Sequence, residues 1–129
     1  MGPLKMARFL LDTHVLIWLD EGSARLPASY RHALEDPDNK IYLSAVTAWE
    51  IQTKKVKCAL AFEGSVAAHG ERFGFIELPI TIAHAEEAAE LPPFHRDPFD
   101  RLLIAQARVE GLTMLSVDAA VRQYSVTCL

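Results

Sequence analysis

Residues 7–19, ARFLLDTHVLIWL, contain the pattern that decides how this chain is expected to fold. The apolar run at 7–11 predicts a short buried strand that ends at Asp12, and 13–19 continues as an apolar helical segment. A fold does not need a carboxylate beside such a run, because taking it out of water costs several kcal/mol unless a cation or hydrogen bonds compensate. Asp12 is therefore the first candidate for a functional residue.

The rest of the chain repeats this alternation of strand and helix. Further strands are predicted at 41–43, at 73–80 after a turn, at 112–117, and as a short fifth strand at 126–127. Helices are predicted at 26–34, from the cap Ser44 through Trp49, at 63–72, at 81–90 and at 98–110. Such alternation predicts a three-layer α/β/α sandwich with a mostly parallel sheet of four to five strands, covered by helices on both faces.

The composition is that of one globular domain. The 129 residues are 50% hydrophobic and 23% charged, which argues against disorder. No apolar run approaches the roughly 20 residues of a membrane span, and the N-terminus has no secretory pattern. Cys58 and Cys128 lack metal-ligand spacing and are expected to be reduced thiols in a cytoplasmic protein. We expect a single domain at 6–129, with 1–5 as an added or disordered N-terminal extension.

The charge balance alone argues against a nucleic-acid partner. Seventeen acidic and thirteen basic residues give a net charge of −4, whereas nucleic-acid-binding surfaces are usually basic. The basic residues are clustered, however: Lys54, Lys55 and Lys57 follow one candidate acid, and Arg96 and Arg101 flank two others. The total charge therefore weakens a nucleic-acid function without excluding it.

Four acidic segments lie beside apolar sequence, and the predicted fold places them near one another. Asp12 and Asp118 each follow a strand, Glu50 lies within a helix, and Asp97 and Asp100 begin another helix. In open parallel sheets, functional groups gather beyond the carboxyl ends of the strands. Converging carboxylates would need a compensating cation, and a hard divalent metal is the simplest one.

Each acid also has a structural explanation of its own. Asp12 suits the N-cap of the following helix, and Glu50 could lie on the solvent face of an amphipathic helix. Asp97 suits an N-cap before Pro98, which leaves Asp100 at the third helical position, where the helix dipole favours negative charge. Asp118 could be a turn residue. Only the joint placement of the acids favours a metal site.

The other polar residues carry weaker signals. Thr13 and Ser116 could hydrogen-bond a ligand carboxylate or a metal-bound water, or could cap the backbone locally. His14, His84 and His95 lack the spacing of a zinc site. His95 is expected at the surface, with a phosphate contact as the alternative.

Taken together, four segments resemble PIN-domain ribonucleases, and most closely the VapC toxins of bacterial and archaeal toxin–antitoxin pairs. The segments are FLLDTHVLIWL (9–19), SAVTAWEI (44–51), HRDPFDRLLIAQA (95–107) and LSVD (115–118). The resemblance covers nearly the whole chain from Arg8 onward. It implies a PIN-like α/β/α fold and an endoribonuclease that hydrolyses RNA with a metal-activated water.

The resemblance also implies a set of site residues and partners. The implied catalytic and metal-binding quartet is Asp12, Glu50, Asp100 and Asp118 with Mg²⁺ or Mn²⁺, with Asp97 beside it assisting through water. Thr13 and Ser116 would support the ligands. Independently of the resemblance, Lys54, Arg96 and Arg101 are candidates for contacts with RNA phosphates, with a solvated surface position as the alternative for each. The implied partners are RNA, a second copy of the chain and a cognate VapB-type antitoxin in a hetero-oligomer.

Two other functions are compatible with parts of the sequence. A catalytically inactive PIN module that binds RNA or a protein partner is the main alternative, although all four acids are present. A phosphatase or phospho-acceptor protein fits poorly, since Asp12-Thr13-His14 stands where an Asp-x-Asp motif would be needed. The sequence leaves the RNA target open.

Overall fold

The computed structural model describes residues 7–129, so the expected N-terminal extension and Met6 lie outside the described residues. Within this range, four strands and six α-helices alternate. They are β1 (Arg8–Leu11), α1 (Thr13–Glu21), α2 (Ala28–Glu35), β2 (Lys40–Ser44), α3 (Ala45–Val56), α4 (Val66–Phe73), β3 (Ile76–Leu78), α5 (Ile82–Glu90), α6 (Pro98–Glu110) and β4 (Thr113–Leu115), followed by a 3-10 turn at Val121–Gln123. None of these helices is long and apolar enough to cross a membrane.

The strands form one parallel sheet in the order β3-β2-β1-β4. Strand β1 lies inside the sheet and pairs Phe9 with Ile41 on one side and with Thr113 on the other. The predicted α/β/α sandwich is confirmed. As a consequence of this order, the carboxyl ends of β2, β1 and β4 lie side by side along one rim of the sheet.

Alternate residues of β1 face two separate cores. Phe9 and Leu11 pack with residues of α1, α2 and α4, whereas Leu10 packs with residues of α5 and α6. Helix α3 contributes Ile51 to the first core and Val46 to the second. Because both faces of the sheet are covered, the buried residues at the centre of β1, β2 and β4 are apolar, as in most parallel strands.

Helix starts follow local capping chemistry. The Ser44 hydroxyl accepts a hydrogen bond from Val46 N at 2.9 Å, as its predicted capping role requires. The helix predicted from residue 63 begins later, at Val66, because Gly64 has a φ of +75° and Ser65 is the N-cap. These caps fix where the side chains of α3 and α4 point.

The predicted fifth strand at 126–127 is reduced to a single bridge. Met114 donates its N–H to Thr127 O at 2.8 Å and accepts from Leu129 N at 3.0 Å, which makes an isolated parallel bridge between Met114 and Cys128. Two hydrogen bonds around one residue do not extend into a ladder, so the regular sheet has four strands.

Candidate metal centre

Asp12 lies at the end of β1 with its side chain almost fully buried, at 3% exposure. It occupies the N-cap position of α1, yet its carboxylate makes no capping hydrogen bond. Oδ2 instead accepts from the Ser116 hydroxyl at 2.7 Å, which joins the ends of β1 and β4. Asp12 thus has the predicted N-cap position but does not cap the helix with its side chain. Capping therefore does not explain why this carboxylate is buried.

Glu50 lies on α3 and is also buried, at 2% exposure. The alternative that it faces solvent is therefore wrong. Lys54, one turn further along α3, donates from Nζ to Glu50 Oε2 at 2.7 Å. Burial of α3 against both the sheet and α6 holds the carboxylate inside the protein.

One oxygen of each carboxylate remains unpartnered. Among the buried side-chain nitrogens and oxygens of residues 7–129, Asp12 Oδ1 and Glu50 Oε1 alone have no hydrogen-bond partner. A buried acceptor without a partner costs about 1–3 kcal/mol, and more when it is charged. Two such carboxylate oxygens form the ligand set that a hard divalent cation prefers. We call Asp12 and Glu50 the inner pair.

Asp100 lies in the first turn of α6 and faces the same pocket. Burial raises the pKa of its carboxyl group to about 7, and the negative charges of Asp12, Asp97 and Glu50 add to this shift while His95 opposes it. Burial likewise raises the pKa of Asp12, with a further contribution from the charge of Glu50; the hydrogen bond from Ser116 and the charge of His14 offset part of it. The carboxylates thus lie close enough to act on one another.

Asp118 is the most exposed of the four predicted acids, with 39% of its side chain exposed. Its Oδ1 accepts from Ala120 N at 2.8 Å, and its Oδ2 accepts from His95 Nε2 at 3.3 Å. The same His95 nitrogen contacts Asp100 Oδ2 at 2.8 Å. These three side chains each offer a ligand atom, and the atoms lie within 4.8 Å of one another. We call His95, Asp100 and Asp118 the outer cluster.

His95 is the member of the pocket that the sequence did not assign. Its side chain is 18% exposed and contacts two carboxylates, so it is a partly buried residue of the pocket and not a freely solvated surface histidine. In the sequence, the feature that indicates this position is that His95 lies two residues before Asp97, the N-cap of α6, and therefore close to the first turn of that helix. The spacing typical of zinc ligands does not identify a histidine that contacts carboxylates.

Asp97 caps α6. Its Oδ1 accepts from Phe99 N at 2.8 Å and from Asp100 N at 3.4 Å, with Pro98 at the first helical position. The cap orients the first turn, and through it Asp100. The part of Asp97 in metal binding stays a prediction.

The two predicted supporting hydroxyls have different positions. Ser116 donates to Asp12, as described above, and its Oγ also accepts from Asp118 N at 3.2 Å. The Thr13 hydroxyl instead pairs with the hydroxyl of Thr47 at 3.2 Å and ties α1 to α3. Ser116 therefore contacts a candidate ligand directly, whereas Thr13 supports the helices around the pocket.

The three predicted RNA contacts also differ. Lys54 is bound to Glu50, and its pKa is raised by that hydrogen bond together with the charges of Glu50, Asp97 and Asp100. Arg101 donates to four backbone carbonyls, namely Pro92, His95, Ala88 and Leu91, and approaches Tyr124 Oη. Its guanidinium group is thus occupied in holding the loop before α6.

Arg96 is exposed, and within residues 7–129 its side chain makes no hydrogen bond.

Fold and site together define a class of α/β protein with a carboxylate pocket beyond a parallel sheet, and sequence comparison identifies that class. The PIN domain family matches residues 9–126, so the chain belongs to this family. The resemblance inferred from the motifs is thereby confirmed.

Individual relatives are similar over nearly the full chain. Ribonuclease VapC22 of Mycobacterium tuberculosis is 29% identical over 127 residues, which cover 92% of this chain and 93% of the relative. VapBC2 of Rickettsia felis, solved with a promoter DNA fragment, superimposes with a TM-score of 0.67 at 14% identity and covers 95% of this chain and 97% of its own. VapC20 of M. tuberculosis, a sarcin–ricin loop cleaving toxin, gives 0.66 at 17% identity, covering 92% and 96%. The two solved structures share the fold.

Proposed function

We propose that this protein is a divalent-metal-dependent endoribonuclease of the PIN family that acts as the toxin of a toxin–antitoxin pair. The observation that carries the proposal is the inner pair, Asp12 and Glu50, each buried and each with one unpartnered oxygen. Family membership and the similarity to Ribonuclease VapC22 support it.

The predicted acids form the proposed catalytic set. Asp12, Glu50 and Asp100 would hold Mg²⁺ or Mn²⁺, with Asp118 at the mouth of the pocket and Asp97 as the cap that orients Asp100. A divalent ion bound there would supply positive charge against the scissile phosphate and lower the pKa of an attacking water.

The neighbouring residues hold the ligands in position. Ser116 and Lys54 each occupy one oxygen of a carboxylate, which leaves the other oxygen of Asp12 and of Glu50 for the ion. Lys54 also places positive charge beside three carboxylates, Glu50, Asp97 and Asp100, which reduces their mutual repulsion. These contacts preorganise the pocket before substrate binds.

RNA is the proposed substrate, because the curated relative is a ribonuclease. Arg96, exposed at the edge of the pocket, is the basic residue best placed to contact an RNA phosphate. Lys54 would reach RNA only by leaving Glu50, and Arg101 only by releasing the loop. We therefore retain Arg96 as the proposed phosphate contact.

A VapB-type antitoxin and a second copy of the chain are the proposed protein partners. One of the solved structures of similar fold is a VapBC complex. By this analogy the protein would work in the cytoplasm and be held inactive in a hetero-oligomer with its antitoxin.

The test is cleavage of total RNA by the full chain, with sequencing of the cleaved ends. Cutting should require Mg²⁺ or Mn²⁺, stop with EDTA and be lost in Asp12→Asn. Asp38→Asn is the matched control, because Asp38 is exposed in the turn before β2, at the opposite end of the strands. Unchanged cleavage by Asp12→Asn would reject the proposed catalytic set. Metal binding without any cleavage would favour the inactive RNA- or protein-binding module.

A further inference from the structure

The backbone of His95 is held on both sides in the loop between α5 and α6. Its N–H donates to Tyr124 Oη at 2.8 Å, and its carbonyl accepts from Arg101 Nη1 at 3.3 Å. Tyr124 Oη in turn donates to Pro92 O at 2.6 Å, and Arg101 binds three further carbonyls of the same segment. The loop therefore presents the imidazole in a fixed position.

The contacts of the imidazole ring define its tautomer. Asp97 N donates to His95 Nδ1 at 3.2 Å, so Nδ1 is an acceptor and the ring proton lies on Nε2. That Nε2–H group donates to Asp118 Oδ2 at 3.3 Å, and the same nitrogen lies 2.8 Å from Asp100 Oδ2 without hydrogen-bond geometry. His95 is thus a hydrogen-bond donor to Asp118 that also lies against the carboxylate of Asp100.

A metal ligand would need the opposite tautomer. For Nε2 to bind an ion, its proton would have to move to Nδ1, where it would face the Asp97 N–H at 3.2 Å. Two donors would then oppose each other without an acceptor. Although His95, Asp100 and Asp118 lie within reach of one ion, the local hydrogen bonding disfavours His95 as its ligand.

The two halves of the pocket also differ in which oxygens are available. Both oxygens of Asp118 already accept protein hydrogen bonds, from Ala120 N and from His95. The unpartnered oxygens belong to the inner pair. A single ion on the inner side satisfies them, while Asp118 in the outer cluster is already satisfied by Ala120 N and His95.

We propose that His95 is a positioning residue whose Nε2–H group occupies the place where a second ion would otherwise bind. The pocket would then bind one divalent ion through Asp12, Glu50 and Asp100, with Asp118 held by His95 instead of binding the ion. This inference rests on the proposed metal centre and goes beyond it in fixing the number of ions and the role of a histidine.

The first test measures the tautomer directly in the unaltered full chain. Long-range ¹H–¹⁵N NMR should show His95 with its proton on Nε2, both without metal and at saturating Mg²⁺, which is diamagnetic. Transfer of the proton to Nδ1 on Mg²⁺ binding would make His95 a ligand and overturn the inference. His32, exposed on α2, serves as the internal reference because it should not change.

The second test counts ions by titration calorimetry with Mn²⁺. The unaltered chain should bind one ion; His95→Gln, which retains an N–H donor, should also bind one. His95→Ala should admit a second, weaker ion, because it frees oxygens of Asp100 and Asp118. Two ions in the unaltered chain, or one ion in His95→Ala, would reject the inference.

These outcomes are separable from failure of the proposed function. Both measurements are made without RNA, so one bound ion and an unchanged tautomer would support the role of His95 even if no RNA were cut. Absence of any Mn²⁺ binding would reject the metal centre, and the role of His95 with it.

Discussion

The inner pair and the outer cluster are built from the same chemical groups but are satisfied differently. Asp12 and Glu50 are buried and each keep an oxygen without a partner. Asp118 accepts from His95 Nε2 and from the backbone, and Asp100 Oδ2 lies 2.8 Å from the same nitrogen. The comparison shows that burial alone does not mark a metal ligand: a carboxylate already served by protein donors has less need of an ion.

The sharpest test of this difference compares Asp12→Asn with Asp118→Asn. Asp12→Asn should abolish measurable Mn²⁺ binding and lower the RNA cleavage rate by about a thousandfold or more, which corresponds to about 4 kcal/mol. Asp118→Asn keeps an acceptor for His95 and should retain Mn²⁺ binding, with a loss of about tenfold or less. Calorimetry and single-turnover cleavage measure both. Equal losses in the two variants would remove the distinction between the two regions.

The next largest effect concerns the loop that supports the outer cluster. Arg101→Ala would leave the carbonyls of Ala88, Leu91, Pro92 and His95 without their shared donor. Since hydrogen bonds to a charged group contribute about 1.5–3 kcal/mol each and are not additive, we expect a loss of roughly 2–4 kcal/mol in the free energy of unfolding. Urea denaturation measures it. Arg101→Lys should recover only part of the loss, because an ammonium group cannot reproduce the planar fork.

Most of the fold could be predicted from the sequence because it depends on local patterns. The apolar run that ends at Asp12 fixes β1, and Ser44 marks the start of α3. The burial of alternate β1 residues in two cores follows from a parallel sheet covered on both faces. The predicted fifth strand is not a regular strand, because only one residue of this segment pairs with β4. A segment that short has the same sequence pattern as a loop.

The candidate site was predictable only in part, because hydrogen-bond partners depend on tertiary contacts. The sequence placed the four acids near the carboxyl ends of strands but could not show that the Asp12 carboxylate makes no capping bond. Nor could it show that Thr13 pairs with Thr47, or that the guanidinium of Arg101 is used by the loop before α6. The role of His95 emerges only when the loop folds back over Asp100.

A smaller effect should appear in the pH dependence of stability without metal. Because the pKa of Asp100 is raised to about 7, folding favours its protonated form, and the metal-free protein should lose stability as pH rises from about 4 toward 8. Asp100→Asn removes this charge. It should raise the free energy of unfolding at pH 8 by about 1–3 kcal/mol and have little effect near pH 4, since one pKa unit corresponds to about 1.4 kcal/mol.

Thermal denaturation in EDTA at both pH values measures this effect, with Asp38→Asn as the control for loss of a surface charge. In the unaltered chain, saturating Mg²⁺ should offset much of the loss at pH 8, because the ion binds the deprotonated carboxylates. An Asp100→Asn variant less stable than the unaltered metal-free protein at pH 8 would contradict the electrostatic account.

The smallest effect on stability should come from Arg96, which lies in the same motif as Arg101 but has no hydrogen bond among the described residues. Arg96→Ala should change the free energy of unfolding by less than about 0.5 kcal/mol, as exposed substitutions usually do. If Arg96 contacts one phosphate, the Arg96→Ala variant should bind RNA more weakly at low salt than the unaltered chain. The magnitude of its slope of log K, where K is the RNA association constant, against log[salt] should be smaller by about 0.7–1. Binding is measured with the metal-free protein in EDTA across a salt series, so cleavage does not interfere. A salt slope unchanged by Arg96→Ala would mean that the exposed arginine does not contact the RNA backbone, and the two arginines would then differ only in their contribution to the loop.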